Sequence, residues 1–300
     1  MSDHNPQLAS VNHRFFWGQI LVQVLLIFLA LSQAKGAHEM LSVFAISALV
    51  LIGVPHGGND YFYRPDKSLR GSLKFLFFYL GCMGLYACLW QWLPLLSLLL
   101  FLAISMHHFG QSNFLSDRWT APESLLWGCW LLVFPMVRHL EEALGIFAQM
   151  MGGVEKGFHD PVLGDANLFI ASVCFGVLYG WVLWKRRIEH RWQFLLQWAL
   201  VTLWFWVSPL IMGFVVVFCL WHAAQSMRYQ VMFIRQSHSK SIGRVLLDFM
   251  PLGLLAVLAW VFSSEFDVMQ HLGWGFVLLS LVTLPHVVVM DGIYRTESHR

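Results

Sequence analysis

The sequence predicts an all-α, polytopic transmembrane helical bundle of about ten spans (eight to ten), with both termini cytoplasmic. Three observations predict it. Of 300 residues, 58% are hydrophobic and 12% charged, against roughly 25% charged in a soluble domain, so lipid is the solvent this chain is built for. Apolar runs of about 17 to 25 residues recur along the whole length, which is what roughly 30 Å of hydrocarbon requires of a helix. The runs are also continuous: ILVQVLLIFLAL does not alternate in polarity, which excludes the strands of a membrane barrel.

The first span, Phe15–Gln33, follows a polar stretch and is long enough to cross, so it reads as a retained helix and not a cleaved signal. Met40–His56 is the second. Leu73–Trp92 and Leu93–Phe109 are separated only at Gln91–Pro94, as Trp192–Ser208 and Leu210–Arg228 are at Val207–Pro209. At both places a proline without a nearby charge leaves one long kinked segment as the alternative. Ser124–Leu140, Asn167–Trp184, Val245–Phe262 and Leu272–Met290 complete the series. Arg138, Glu141 and Glu142 fall where the fifth span should finish. A charge in mid-membrane costs about 2.5 kcal/mol or more, so an exit near Arg138 and an interfacial helix through Met151 are expected.

The loops orient the bundle. Arg64, Lys67, Arg70 and Lys74 follow the second span, Lys185, Arg186, Arg187 and Arg191 the sixth, and Arg228, Arg235, Lys240 and Arg244 the eighth. Lysine and arginine collect on the cytoplasmic side. The loops after the fifth and ninth spans carry Glu155, Asp160 and Asp165, then Glu265 and Asp267, and belong to the other face. A net charge of +2, confined to loops, gives no footing for a nucleic acid. The five cysteines all lie inside apolar segments without a CxxC and read as small buried hydrophobes. No internal repeat or second soluble region interrupts the chain, so residues 1–300 are expected to form one integral membrane domain.

Chemistry enters at four helix ends. His56 in LIGVPHGGND, His107 and His108 in SMHHFG, His222 in FCLWHAAQSMR and His286 in TLPHVVVMD lie near the C-terminal ends of even-numbered spans. The next basic residue after each of the four places comes roughly 9–15 Å further along the helix, which sets them at similar depth. A single intramembrane histidine is ordinarily a hydrogen-bonded packing residue. Several at one depth call for something that unites them, a metal or a proton path. A proton or metal transporter would need a path across the bilayer, which a single depth does not supply. Carboxylates are scarce near these ends, and an all-imidazole shell with open positions favours redox or oxygen chemistry on iron over a closed zinc site. Asp60, Gln111, Gln225 and Ser226 stand three or four residues after a histidine, where they would fix a ligand's tautomer or simply bond between helices. Phe101, Trp204, Phe205, Phe214, Phe218 and Trp221 either line a tunnel for a long apolar substrate or pack.

GVPHGGND, HHFGQSN, LWHAAQSMR and LPHVVVMD resemble the motifs of the Brp/Blh family of bacterial and archaeal β-carotene 15,15′-dioxygenases, most specifically at PHGxxD and HFG, and the similarity in hydropathy and motif order covers most of the chain. The resemblance implies an integral protein of the cell membrane that uses Fe(2+) and O2 to split a carotenoid into retinal. It implies that His56, His108 and His222 are iron ligands, with His108 and not His107 matching the histidine before Phe-Gly. The family usually has a second histidine one turn into its third motif; here that position is Ser226. Asn113 stands where an acidic residue is frequent, and Tyr61 where histidine is common. His286 matches the family's final Pro-His, so the fourth position of the shell falls to His286 or to water. The expected partners are a carotenoid, O2 and membrane lipid. The other reading open at this point is a non-catalytic carotenoid-binding or assembly partner of a retinal protein, with one metal ligand lost at Ser226.

Overall fold

The structure is a computed structural model that describes residues 6–32, 34–64, 66–114, 121–153, 164–238 and 272–298. Among them every regular element is helical. The order is α1 (Pro6–Leu31), α2 (Ala37–Ala48), a π-helical turn (Leu49–Gly53), α3 (Val54–Gly58), a 3-10 turn (Asp60–Tyr63), α4 (Leu69–Trp92), α5 (Pro94–Phe114), α6 (Pro122–Arg138), α7 (Leu140–Met150), α8 (Asp165–Lys185), α9 (Arg191–Val207), α10 (Leu210–Val217), a second π-helical turn (Phe218–Ala223), α11 (Ala224–His238) and α12 (Leu272–Ser298). Seven helical segments are long and apolar enough to cross a membrane. The fifth and seventh expected spans correspond to α6 and α9, each 17 residues long. The expected span Val245–Phe262 lies outside the described residues.

The breaks have local causes. Pro94 opens α5 one residue after α4 ends, because proline fixes the φ of a first helical position and needs no N–H there. α9 stops at Val207 and α10 starts at Leu210, after Ser208 and Pro209 take extended backbone angles. Both turns therefore separate two helices, and the long kinked segments do not form. The helix also breaks at His139 (φ −120°, ψ 49°), between Arg138 and the Glu141–Glu142 pair, where the charges called for a change of course. Ahead of α4, Ser68 Oγ accepts from the Gly71 N–H at 3.1 Å, and the Ser68 N–H donates to Asp66. Hydrogen bonding from Ser68, side chain and backbone, holds the Asp66 carboxyl below the usual range.

Two packing devices set the frame. α5 and α6 cross so closely that a Cβ added at Gly110 would lie 2.0 Å from the Ser124 carbonyl oxygen, and one at Gly128 would lie 1.7 Å from that of Met106. In lipid, helices associate through such small-residue contacts because apolar burial alone gives them no preference for one another. Beside this crossing, α6, α8 and α9 share an aromatic slab. Trp130 stacks on Phe175 at 4.1 Å and on Phe134 at 4.6 Å between ring centres. Trp127, Tyr179, Trp204 and Phe205 are almost wholly buried around it.

Candidate metal centre

Three of the four histidine-bearing ends depart from a plain α-helix or pass a proline, and the fourth, in α5, is regular. Pro55 has no N–H to close an α-turn, and the chain preceding it widens into the π turn, whose end is marked by the Val54 N–H donating to the Leu49 carbonyl. His222 lies inside the second π turn, closed in the same way from the Ala224 N–H to the Cys219 carbonyl. The two π turns face each other, with Gly53 against Phe218 and Cys219. His108 comes from α5, at the tight crossing with α6, and His286 follows Pro285 inside α12.

These four imidazoles converge. His56 Nε2 is 3.1 Å from His222 Nε2 and 3.1 Å from His286 Nε2. The ring of His108 lies 4.6 Å from that of His222 and 5.0 Å from that of His286. Nitrogens of His56, His108 and His286 all fall within 4.8 Å of one another, so this trio could hold a metal ion. All four side chains are buried, none more than 4% exposed. His107 is buried on α5 but is not one of this group.

Hydrogen bonding fixes where the lone pairs point. Nδ1 of His286 lies 2.8 and 3.0 Å from the two oxygens of Asp60, and a carboxylate can only accept, so Nδ1 carries the proton and Nε2 the free pair. The hydroxyl of Ser112 donates to the Phe109 carbonyl, which leaves its oxygen to accept from Nδ1 of His222, 2.9 Å away. Two Nε2 lone pairs therefore face Nε2 of His56, which has at most one proton to offer. Among the described residues, neither nitrogen of His108, nor Nδ1 of His56, has a hydrogen-bond partner. Buried polar atoms left so cost about 1–3 kcal/mol each; a shared cation would relieve one nitrogen of His108 and the crowded Nε2 of His56, since an imidazole offers a single ion only one of its nitrogens. The spacing fits as well: two metal–imidazole bonds of about 2.1 Å at 90–110° put their nitrogens roughly 3.0–3.4 Å apart.

The supporting residues are arranged otherwise than their spacing in the sequence implies. Asp60, four residues after His56, serves His286 instead. The reason is local: α3 ends at Gly58, Asn59 (φ −94°, ψ 8°) breaks the helix, and the 3-10 turn carries the carboxylate to α12. Tyr79 of α4 donates its hydroxyl to the other side of Asp60 at 2.9 Å. Next to it, burial and then the Asp60 charge push the Tyr63 phenol well above its usual range, so it stays neutral. Gln111 donates to Asp291 and not to His108, Gln225 reaches the Tyr229 hydroxyl at 3.4 Å, and Ser226 pairs with the Tyr294 hydroxyl at 2.8 Å. Asn113 exchanges hydrogen bonds with Gln197. Ser112, Tyr79 and Gln230, whose amide donates to the His56 carbonyl at 2.9 Å, carry no signal in the sequence beyond being polar in apolar runs.

Of the aromatics proposed for a tunnel, Trp204, Phe205 and Trp221 belong to the buried core, and Phe214 and Phe218 pack against it. Phe101 packs in a separate core cluster with Tyr86, Trp90 and Leu98. Phe109 and Phe218 wall the His222 ring at 4.4 and 5.4 Å.

A family model for beta-carotene 15,15'-dioxygenase matches residues 47–294, a stretch that contains all four histidines. A protein of an uncultured marine bacterium (66A03) named beta-carotene 15,15'-dioxygenase is 25% identical over 274 residues, covering 85% of this chain and 95% of the relative. No solved structure matches. The match of the family's model to residues 47–294, on a membrane-type helical frame whose buried imidazoles could hold a metal ion, places this chain in the beta-carotene 15,15'-dioxygenase family.

Proposed function

We propose that the protein is a membrane-embedded, Fe(2+)-dependent dioxygenase that cleaves β-carotene or a related carotenoid with O2 to retinal, with His56, His108, His222 and His286 as the metal ligands. The observation that carries this reading is that Nε2 of His222 and Nε2 of His286 each lie 3.1 Å from Nε2 of His56, beside a fourth imidazole, His108, that has no hydrogen-bond partner among the described residues. In this reading His286 takes the fourth position, and Ser226 is committed to Tyr294. The chain crosses the cell membrane about ten times with both termini in the cytoplasm, its basic loops on the same side as the histidine-bearing ends.

The overall change is balanced by its reactants: one carbon–carbon double bond of the polyene breaks, and each of its carbons receives one oxygen atom of O2. Ferrous iron, when bound, supplies the one-electron chemistry that makes O2 reactive toward such a bond. The residues do the rest. Asp60 holds Nδ1–H of His286 and thereby aims Nε2 inward; its negative charge, delivered through one imidazole, offsets part of the cation's charge. Ser112 does the same for His222 without a charge. Phe109 and Phe218 give the site an apolar wall that excludes water and suits a polyene. Purified protein, loaded anaerobically with Fe(2+) and given β-carotene and O2, is expected to form retinal and to hold about one iron per chain. Metal-replete protein that leaves the carotenoid intact, and cells making β-carotene that stay orange on expression, would overturn the catalytic reading in favour of a carotenoid-binding role.

A further inference from the structure

Gln19 and Gln23 lie in α1, inside the run WGQILVQVLLIF. They are 5% and 0% exposed, among the most buried polar side chains of the chain. An amide in such a run is costly unless it is bonded, and four residues apart the two share one helix face. Both are directed at the second π turn. The Gln19 amide donates to the Leu220 carbonyl, and Gln23 Oε1 accepts from the Trp221 indole N–H at 3.1 Å. Phe16, one turn before Gln19, places its ring 5.8 Å from that of Trp221. Leu220 and Trp221 are the two residues immediately before His222. A π turn gives up regular α-helical hydrogen bonding and persists where other groups support the backbone. Here the support comes from a helix outside residues 47–294, the stretch that the family model matches.

We infer that α1 is a positioning element for the metal centre: Gln19 and Gln23 clamp Leu220 and Trp221, hold the π turn, and so set the placement of His222. The inference rests on His222 being a metal ligand. Neither glutamine touches the imidazole, so their effect travels through the backbone of residues 220–222.

The test uses the full chain with Co(2+) as the probe, read by its visible d–d absorption. Methionine keeps the length of glutamine without the amide, so Q19M/Q23M removes the clamp and preserves packing. The double variant is expected to bind cobalt about tenfold more weakly than the parent, the scale on which residues supporting a metal ligand act. Its d–d band should change while the unfolding of the metal-free chain does not. Unchanged affinity and spectrum would overturn the clamp. So would lowered stability of the metal-free chain with an unchanged spectrum, since α1 would then only pack. If the double variant does not accumulate, the cycle of Q23M with W221F decides. Losses that fail to add mean that the two side chains act as one contact, and additive losses refute it. A parent that binds no cobalt overturns the metal centre itself, which separates that failure from failure of the clamp.

Discussion

Where α6, α8 and α9 meet, the interior is made of rings. Trp130 lies between Phe134 and Phe175, and its indole N–H finds Thr202 at 2.8 Å. Where α3, α5, the second π turn and α12 meet, the interior is imidazole, carboxylate and hydroxyl, and ring nitrogens of His56 and His108 have no partner among the described residues. Both places are equally shielded from water, so an unpaired polar atom costs the same in each. The slab leaves the Tyr179 hydroxyl and the Trp198 indole N–H, single groups on separate helices, without a partner among the described residues, whereas the unpaired nitrogens of the cluster belong to His56 and His108, whose rings lie 6.1 Å apart. The contrast is one of grouping: the slab packs rings around isolated polar groups, whereas the cluster gathers imidazoles that could hold a metal ion.

Substitutions can break that contrast. The largest effect is expected from His56→Ala, because Nε2 of His56 faces both His222 and His286: iron retention falls by more than the roughly 100-fold that a lost supporting residue costs. Metal analysis and retinal formation both read it, and iron content and cleavage at the parent level would remove His56 from the site. Asp60→Ala frees His286 Nδ1 and removes the balancing charge. It should weaken metal binding by about 10–100-fold, measured by competition with a chelator. Gly128→Ala attacks the frame instead, driving a methyl into the Met106 carbonyl. It should cost about 1–3 kcal/mol in a denaturant titration, whereas Gly81→Ala, which meets open space, should leave stability unchanged. The smallest effect belongs to the slab: Trp130→Phe loses the Thr202 hydrogen bond for about 1 kcal/mol and leaves metal affinity untouched. If Trp130→Phe lowered affinity as much as Asp60→Ala does, the division between scaffold and site would not hold.

Part of this was readable from the chain alone. His56, His108, His222 and His286 stand out because imidazole is rare in apolar runs, and the hydropathy marks the helices on which they ride. The partner of Asp60 was not readable, because spacing along one helix presumes that the helix continues, and α3 stops at Gly58. The π turns left no trace either, since hydropathy is blind to whether a carbonyl is met four or five residues on. Ser112, Gln19 and Gln23 give no signal in the sequence for a related reason. A short polar side chain in a lipid-facing sequence looks the same whether it bonds its own helix or another, and only the assembled bundle tells the two apart.

The Asp60–His286 pair joins residues 226 positions apart. Ribosomes deliver those two helices at very different times, so the cluster has no existence while the early helices are being inserted and comes into being only once α12 is seated. On the proposed function, metal uptake would be a late event in biogenesis, and the ion would fasten the first-made portion of the bundle to the last. Chains arrested before α12 should reach the bilayer yet remain colourless to cobalt, and full-length chains purified without metal should come apart in detergent more readily than loaded ones.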